Sequence, residues 1–488
     1  MKKLILALAV ASLSGCMSTT PTLEGNPSTT NAVAPTPFVV PTVAKSGAKF
    51  TLPAYEQMEL DNGLTVYLLQ RDTVPLITVN AVVRAGAVND AEPGTAKLTS
   101  QAMLLGTSSL SKNKLESTVE NLGASLNASA GKEGTSLHSQ FQSKDLQVML
   151  PLIAEVLTKP SFPADEVMKA RDRYVAQLSQ QKESPRQVIN NYFDRLLYGN
   201  HPYGNAAVGN ADAIAQLDEF DLKIFHGSWY QPRNTALVIA GDFNRADVLA
   251  LVKQQFGQWA DRKTPTPPNL EVAVAQPSSA RVLLVDKADA RETTFLIGGP
   301  GVARDNPDYV GLQVLNTILG GRFTSWLNDE LRVNAGLTYG ARSHFNALGE
   351  HGGFTISTFT ATETTAAAMD LALKTYTRLW EQGIDQATLD SAKAYVKGQF
   401  PPKYETADQL AGLLGQMHLM KMDPKQLDNF SQQVDKLTVA DAQQLVAKHF
   451  PKDNLQFVLV GKADDIRGLA ANYGDVTEVS INQAGFRF

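Results

Sequence analysis

The feature that most constrains this chain is an internal echo. Val66-Tyr67-Leu68-Leu69 and Ile77 to Val83 read as two apolar strands, followed by Gly86-Ala87-Val88-Asn89-Asp90, a proline and a helical stretch ending near Gly106. About 215 positions later Val282 to Val285, Thr294 to Ile297, Gly301-Val302-Ala303-Arg304-Asp305, a proline and a helical stretch ending near Gly320 repeat that order. The far ends match too: Pro232 followed by Ala236 to Gly241 parallels Pro451 followed by Leu455 to Gly461. Such a repeat predicts two homologous lobes, each long enough for its own layered core. Arg262-Lys263-Thr264-Pro265-Thr266-Pro267-Pro268, whose prolines remove backbone donors and fix φ, opens a linker between them. The expected lobes are 49–261 and 280–488, joined by 262–279.

Within each lobe strands bracket a helical middle. Periodicity in the first predicts helices over about 94–105, 112–123, 145–157, 164–182 and 186–197, with strands near 125–131 and 136–143. The second predicts strands near 338–347 and 353–361 around the turn Leu348 to Gly353. Strand groups packed with helices, without regular βαβ alternation, indicate an α+β class with largely antiparallel sheets.

The first fifteen residues place Lys2 and Lys3 before an apolar run and end in small residues, the pattern of a secretory signal, and the run is too short to span a bilayer. Leu13-Ser14-Gly15-Cys16 resembles a bacterial lipobox, and Cys16 is the only cysteine in the chain. An unlipidated leader with an incidental cysteine is the alternative. Residues 16–48, rich in Thr, Pro, Ser and Asn, read as a lipidated, solvated tether. With Met17 after the cysteine, the resemblance favours an outer-membrane lipoprotein whose body faces the periplasm. One cysteine excludes intrachain disulfides and cysteine-based metal clusters. The net charge of −5 argues against a nucleic-acid binder driven by phosphate neutralisation.

Four segments in order carry a family resemblance: Gly86 to Thr107; Leu197-Tyr198-Gly199-Asn200-His201-Pro202-Tyr203-Gly204 with Gly209; Pro232-Arg233-Asn234 to Gly241-Asp242; and Gly320-Gly321-Arg322 through Tyr339-Gly340. Together, over about residues 52–465, the chain resembles the M16 metallopeptidases, the pitrilysin and insulysin group, in their short two-lobed bacterial form. The resemblance implies a clamshell of two such lobes. Active members carry an inverted H-x-x-E-H zinc motif on the first long helix, with a later glutamate as third ligand. Spacings of three and four share one helical face, so both imidazoles reach one ion while the glutamate acts as general base.

Here those positions fall on Lys97, Ser100 and Gln101, and the later glutamate on Gln177, eighty residues after Lys97. An ammonium must lose its proton to ligate, a hydroxyl cannot replace a carboxylate base, and neutral amides are poor zinc ligands. No two of the seven histidines lie within four residues of each other, so no substitute pair is evident. No metal or other cofactor is expected in this chain.

The other family feature is present. Arg332-Val333-Asn334-Ala335-Gly336-Leu337-Thr338-Tyr339 resembles the segment in which an arginine and a tyrosine project into the chamber. A helix over 324–332, a turn at Gly336 and a strand from Leu337 would aim both side chains at one point. Judged alone, Arg332 equally suits a helix C-terminus and Tyr339 ordinary strand packing. The resemblance implies substrate binding by Arg332 and oxyanion stabilisation by Tyr339. It also implies a heteromeric envelope peptidase acting on unfolded peptides, with zinc supplied in trans by an M16 partner and membrane attachment through the lipid. The alternative is a lipid-anchored peptide-binding or assembly scaffold without turnover. His201 is expected to shape a turn, and His344 and His351 to be exposed beside a hairpin.

Overall fold

The computed structural model describes residues 50–488, which form one compact unit; the leader, Cys16 and the whole tether lie outside the described residues. Twelve strands make two six-stranded sheets. The first contains β1 (Glu56–Glu59), β2 (Thr65–Gln70), β3 (Leu76–Val83), β4 (Ser125–Ala130), β5 (Thr135–Gln142) and β6 (Thr235–Gly241), in the order β1-β2-β6-β3-β5-β4. The second contains β7 (Arg281–Asp286), β8 (Glu292–Pro300), β9 (Arg342–Ala347), β10 (Gly352–Ala361), β11 (Gln456–Gly461) and β12 (Asp475–Ser480), in the order β12-β7-β11-β8-β10-β9. Five successive strands of each sheet thus correspond, β2-β6-β3-β5-β4 with β7-β11-β8-β10-β9. The pairing is mostly antiparallel, with parallel contacts at β2·β6, β7·β11 and β7·β12. The extra edge strands differ: β1 runs antiparallel to β2, whereas β12 runs parallel to β7.

The helices between the strands fall where the apolar periodicity places them: α1 (Thr95–Ala102), α2 (Lys112–Asn121), α3 (Leu146–Thr158), α4 (Ala164–Gln181) and α5 (Pro185–Tyr198) in the first half. In the second half α6 (Thr365–Glu381), α7 (Gln386–Gln399) and α8 (Ala407–Leu419) occupy the positions of α3, α4 and α5. Among the described residues no helix is long and apolar enough to cross a membrane.

The halves exchange a helix. α5 packs on β8 and β11 of the second sheet, and α8 packs on β3 and β6 of the first. Val188, Ile189, Tyr192, Phe193 and Leu196 of α5 bury against Leu283, Leu296 and Val458. Leu410, Leu413, Leu414 and Met417 of α8 join the core that contains Tyr67, Leu69, Val238 and Ala240. Each sheet's other face is covered by helices of its own half, so central strands are buried on both faces. That is why β6 is an unbroken buried run rather than an alternating one.

Two glycines permit the close approach. A Cβ on Gly298 of β8 would lie 2.9 Å from the Phe193 ring, and one on Gly415 of α8 would lie 2.8 Å from both Asn80 and Val82. A polar clasp reinforces the junction at the hairpin turns. The Glu133 carboxylate accepts from the Tyr203 hydroxyl at 2.6 Å and from the Gly349 N–H at 3.1 Å, while Lys132 pairs with Asp194 at 2.7 Å. His201 shapes its turn as expected, its Nδ1 accepting from the Tyr203 N–H at 3.1 Å. His344 is exposed, but His351 is half-buried, its Nε2 2.9 Å from the Val272 carbonyl oxygen, because residues following the linker prolines pack over the turn.

Truncating an exchanged side chain should therefore weaken both halves together. Phe193→Ala and Leu414→Ala are each expected to cost about 2–5 kcal/mol, read as a shifted denaturation midpoint of one cooperative transition. A transition that splits so that only one half melts early would contradict the exchange.

Candidate functional site

α1 begins at Gly94, in the left-handed region at φ 106°, and is capped from four residues upstream. The Asp90 carboxylate accepts from the Gly94 N–H at 2.8 Å and the Ala96 N–H at 2.7 Å, an anion over a helix N-terminus. Burial nevertheless pushes its pKa up to about 7, the two backbone N–H groups offsetting only part of the desolvation.

Lys97, Ser100 and Gln101 share the face of α1 that meets the edge strand β4. Ser100 is fully buried; its hydroxyl donates to the Lys97 carbonyl at 2.8 Å and accepts from the Ala130 N–H of β4 at 3.2 Å. Lys97 directs its ammonium to the Ser129 hydroxyl at 3.3 Å and has no acidic partner among the described residues, and burial lowers its pKa. Gln101 is half-buried, whereas Gln177 is exposed on α4 and makes no hydrogen bond to the α1 trio. The structure thus brings Lys97 and Ser100 together at β4, and no hydrogen bond joins Gln177 to them among the described residues.

This donor set does not fit zinc. Its central hydroxyl is committed to helix and strand backbone, and its nitrogen is an ammonium already donating to another hydroxyl. Among the described residues no group of three His, Cys, Asp or Glu side chains could hold a metal ion.

The Arg332–Tyr339 segment differs from its expected secondary structure. After Trp326–Asn328 the chain widens into i→i+5 turns over Asp329–Asn334, and no strand begins until Arg342. Threonine hydroxyls supply the reason: Thr360 donates to the Leu337 carbonyl at 2.7 Å, and Thr358 donates to the Gly340 carbonyl at 3.0 Å while its oxygen lies 2.8 Å from the Thr338 hydroxyl. Side chains of β10 occupy backbone groups that a ladder would have used. Tyr339 consequently sits on a non-strand shoulder and is 83% exposed. Arg332 lies over the ring of Phe323 at 4.5 Å, and Phe323 is itself exposed. No ion pair engages Arg332 among the described residues, so its donors remain available to a ligand. The residue spacing carried no sign of the Phe323 stack, because nine residues separate Phe323 from Arg332 and the widened turns over Asp329–Asn334 break the regular helical spacing.

Beside Tyr339 lies a cavity of about 690 Å3, walled by α5 and floored by β8, β9 and β10. Arg186 and Arg342 line it, and neither stood out in the sequence. They line one cavity only through the helix exchange.

Two family models match the chain in succession: "Insulinase (Peptidase family M16)" over residues 66–211 and "Peptidase M16 inactive domain" over residues 217–396. The chain belongs to peptidase family M16. It is 25% identical over 412 residues to the zinc protease PqqE of Helicobacter pylori, covering 83% of this chain and 93% of that protein. It is 23% identical over 370 residues to the non-peptidase homolog YmxG of the same organism, covering 75% and 84% respectively. The crystal structure of a peptidase M16 inactive domain from Pseudomonas fluorescens superposes with a TM-score of 0.77 at 26% identity, covering 84% of this chain and 98% of that one. As an M16 chain it thus resembles relatives named for protease activity and relatives named for its absence.

Two measurements check the first-half geometry. Ser100→Ala should destabilise the protein by about 1–3 kcal/mol by stranding the Ala130 N–H, read by denaturant unfolding; an unchanged midpoint would contradict that bond. Asp90, with a folded pKa above its unfolded value of 3.8, favours the folded state most at low pH. That contribution is lost as pH rises from about 4 through about 7. Asp90→Asn should flatten this part of the stability profile, and an identical slope in both proteins would refute the shift.

Proposed function

We propose that this chain is the zinc-less subunit of a heteromeric cell-envelope metallopeptidase that cleaves unfolded peptides. The observation that carries the reading is the contrast between the two halves. The first has its metal positions occupied by an ammonium, a buried hydroxyl and amides, with Ser100 tied to backbone on both sides. The second presents a tyrosine hydroxyl in solvent and an unpaired guanidinium stacked on an exposed ring. A tyrosine on a packed strand would serve the fold; one that is 83% exposed contributes little to it.

In this reading a related M16 chain supplies the zinc and the general base. Arg332 orients a substrate carbonyl through its planar fork of donors, and the Tyr339 hydroxyl donates to the oxyanion that develops when the amide is attacked. Attachment at Cys16 would hold the body near the outer membrane on its periplasmic side, with 16–48 as spacer. A non-catalytic scaffold is the second reading, and the relative named a non-peptidase homolog favours it.

The two separate on turnover by the mixed subunits. Tyr339→Phe should leave the complex assembled and lower its rate by about 10²–10³, the usual cost of one oxyanion donor. Equal turnover by wild-type and Tyr339→Phe complexes would reject the catalytic role, and no cleavage in any mixture would favour the scaffold.

A further inference from the structure

The cavity beside Tyr339 has a composition that the subunit reading leaves unused. Strand register defines its floor. Leu283, Val458, Leu296, Ser357 and Arg342 stand opposite one another in a single row across β7, β11, β8, β10 and β9, so their side chains share one face. α5 covers the first three, which are buried in its core. Ser357 and Arg342 lie beyond the helix, and the sheet is left open there.

The wall is the first turn of α5, where Arg186 lies over the Phe359 ring at 4.0 Å and Asn190 follows one turn later. Arg186 and Arg342 are both exposed, and neither forms an ion pair among the described residues. No aspartate or glutamate lines the cavity. The α5 N-terminus adds its own positive potential, with Pro185 at its first position and no side chain capping it.

The first sheet provides an internal control. Its corresponding row runs Tyr67, Val238, Asn80, His138, Asn127, and α8 covers it as α5 covers the second sheet. There the second residue of the helix is Asp408, and it closes the gap by pairing with His138 at 2.6 Å. In the second sheet the same places hold Arg186 and Ser357, with Arg342 where the first has Asn127. One gap is filled by an internal pair; the other is a cavity lined by two like charges. Two guanidiniums lining one cavity without a counter-charge among the described residues favour an anion between them.

We propose that this cavity receives a carboxylate of the bound peptide, its C-terminus or an acidic side chain, with Arg186 and Arg342 as the cationic partners. The assignment rests on the peptide-handling reading above, because Tyr339 stands on the cavity rim. Guanidinium forks suit the two oxygens of a carboxylate, and the half-buried Phe359 ring offers apolar surface to the attached chain.

The test uses the purified full chain without any partner and reads binding alone. The probes are a fluorescein-labelled ten-residue peptide of Gly, Ser and Leu made as the C-terminal acid, as the C-terminal amide, and as the amide with one internal Asp. Fluorescence anisotropy should show the acid, the Asp peptide or both binding about tenfold more tightly than the plain amide, the scale of one charge-assisted hydrogen bond. Preference for the acid assigns the C-terminus, and preference for the Asp peptide assigns a side chain. Arg186→Gln with Arg342→Gln should erase the preference, and Arg342→Glu should disfavour the carboxylate probes while amide binding persists. Equal affinity of wild type for all three probes would overturn the proposal. So would a preference surviving the double substitution, or a parallel loss of amide binding in the variants. Charge-selective binding without cleavage in the partner mixture would sink the subunit reading alone; cleavage without charge selectivity would sink this inference alone.

Discussion

The exchange of α5 and α8 between the two sheets is the contact on which the rest of the molecule depends. A six-stranded sheet with an apolar run such as β6 at its centre needs cover on both faces, and each half supplies helices for only one of its own. Burying side chains such as Phe193 and Leu414 stabilises by about 1.5–3 kcal/mol each, and here that gain is available only when both halves are folded and docked. The exchange also sets the chemistry of the second sheet's open corner, since the first turn of α5 adds Arg186 to the cavity that Arg342 lines.

The two halves then diverge in what they do with equivalent positions. In the first, α1 lies against β4 with Ser100 bridging helix and strand, so the face of α1 that carries Lys97 and Ser100 is a packing contact. In the second, the equivalent stretch leads into wide turns and a threonine-clamped shoulder, and that irregularity lifts Tyr339 into solvent. Irregular backbone held by side-chain hydroxyls costs ladder hydrogen bonds, and such departures from regular structure concentrate at functional sites.

Much of this was legible in the residues. The repeat near 215 positions gave two sheets of matching order, and 3.6-residue periodicity placed α1 to α5 within a few residues of their observed ends. Local apolar pattern is set by burial, and burial here is extensive enough to read. β1 and β12 escaped notice because they are short, mostly exposed edge strands with little alternation to read. The strand expected from Leu337 failed because Thr358 and Thr360, twenty residues away, capture its backbone. The helix exchange was invisible for a related reason: amphipathic spacing shows that α5 buries one face, but not against which sheet. For the site, residue identity alone fixed the misfit of Lys97, Ser100, Gln101 and Gln177 to zinc. The Arg186–Arg342 cavity, assembled from two halves, left no local trace.

If the first half holds no catalytic metal, any hydrolysis must draw its ion from another chain. Metal content of the pure chain, measured by inductively coupled plasma mass spectrometry after equilibration with zinc and gel filtration, tests it most directly. A chain without its own metal site should carry zinc far below one equivalent; one tightly held zinc per chain, removed by chelator together with peptide hydrolysis, would contradict that.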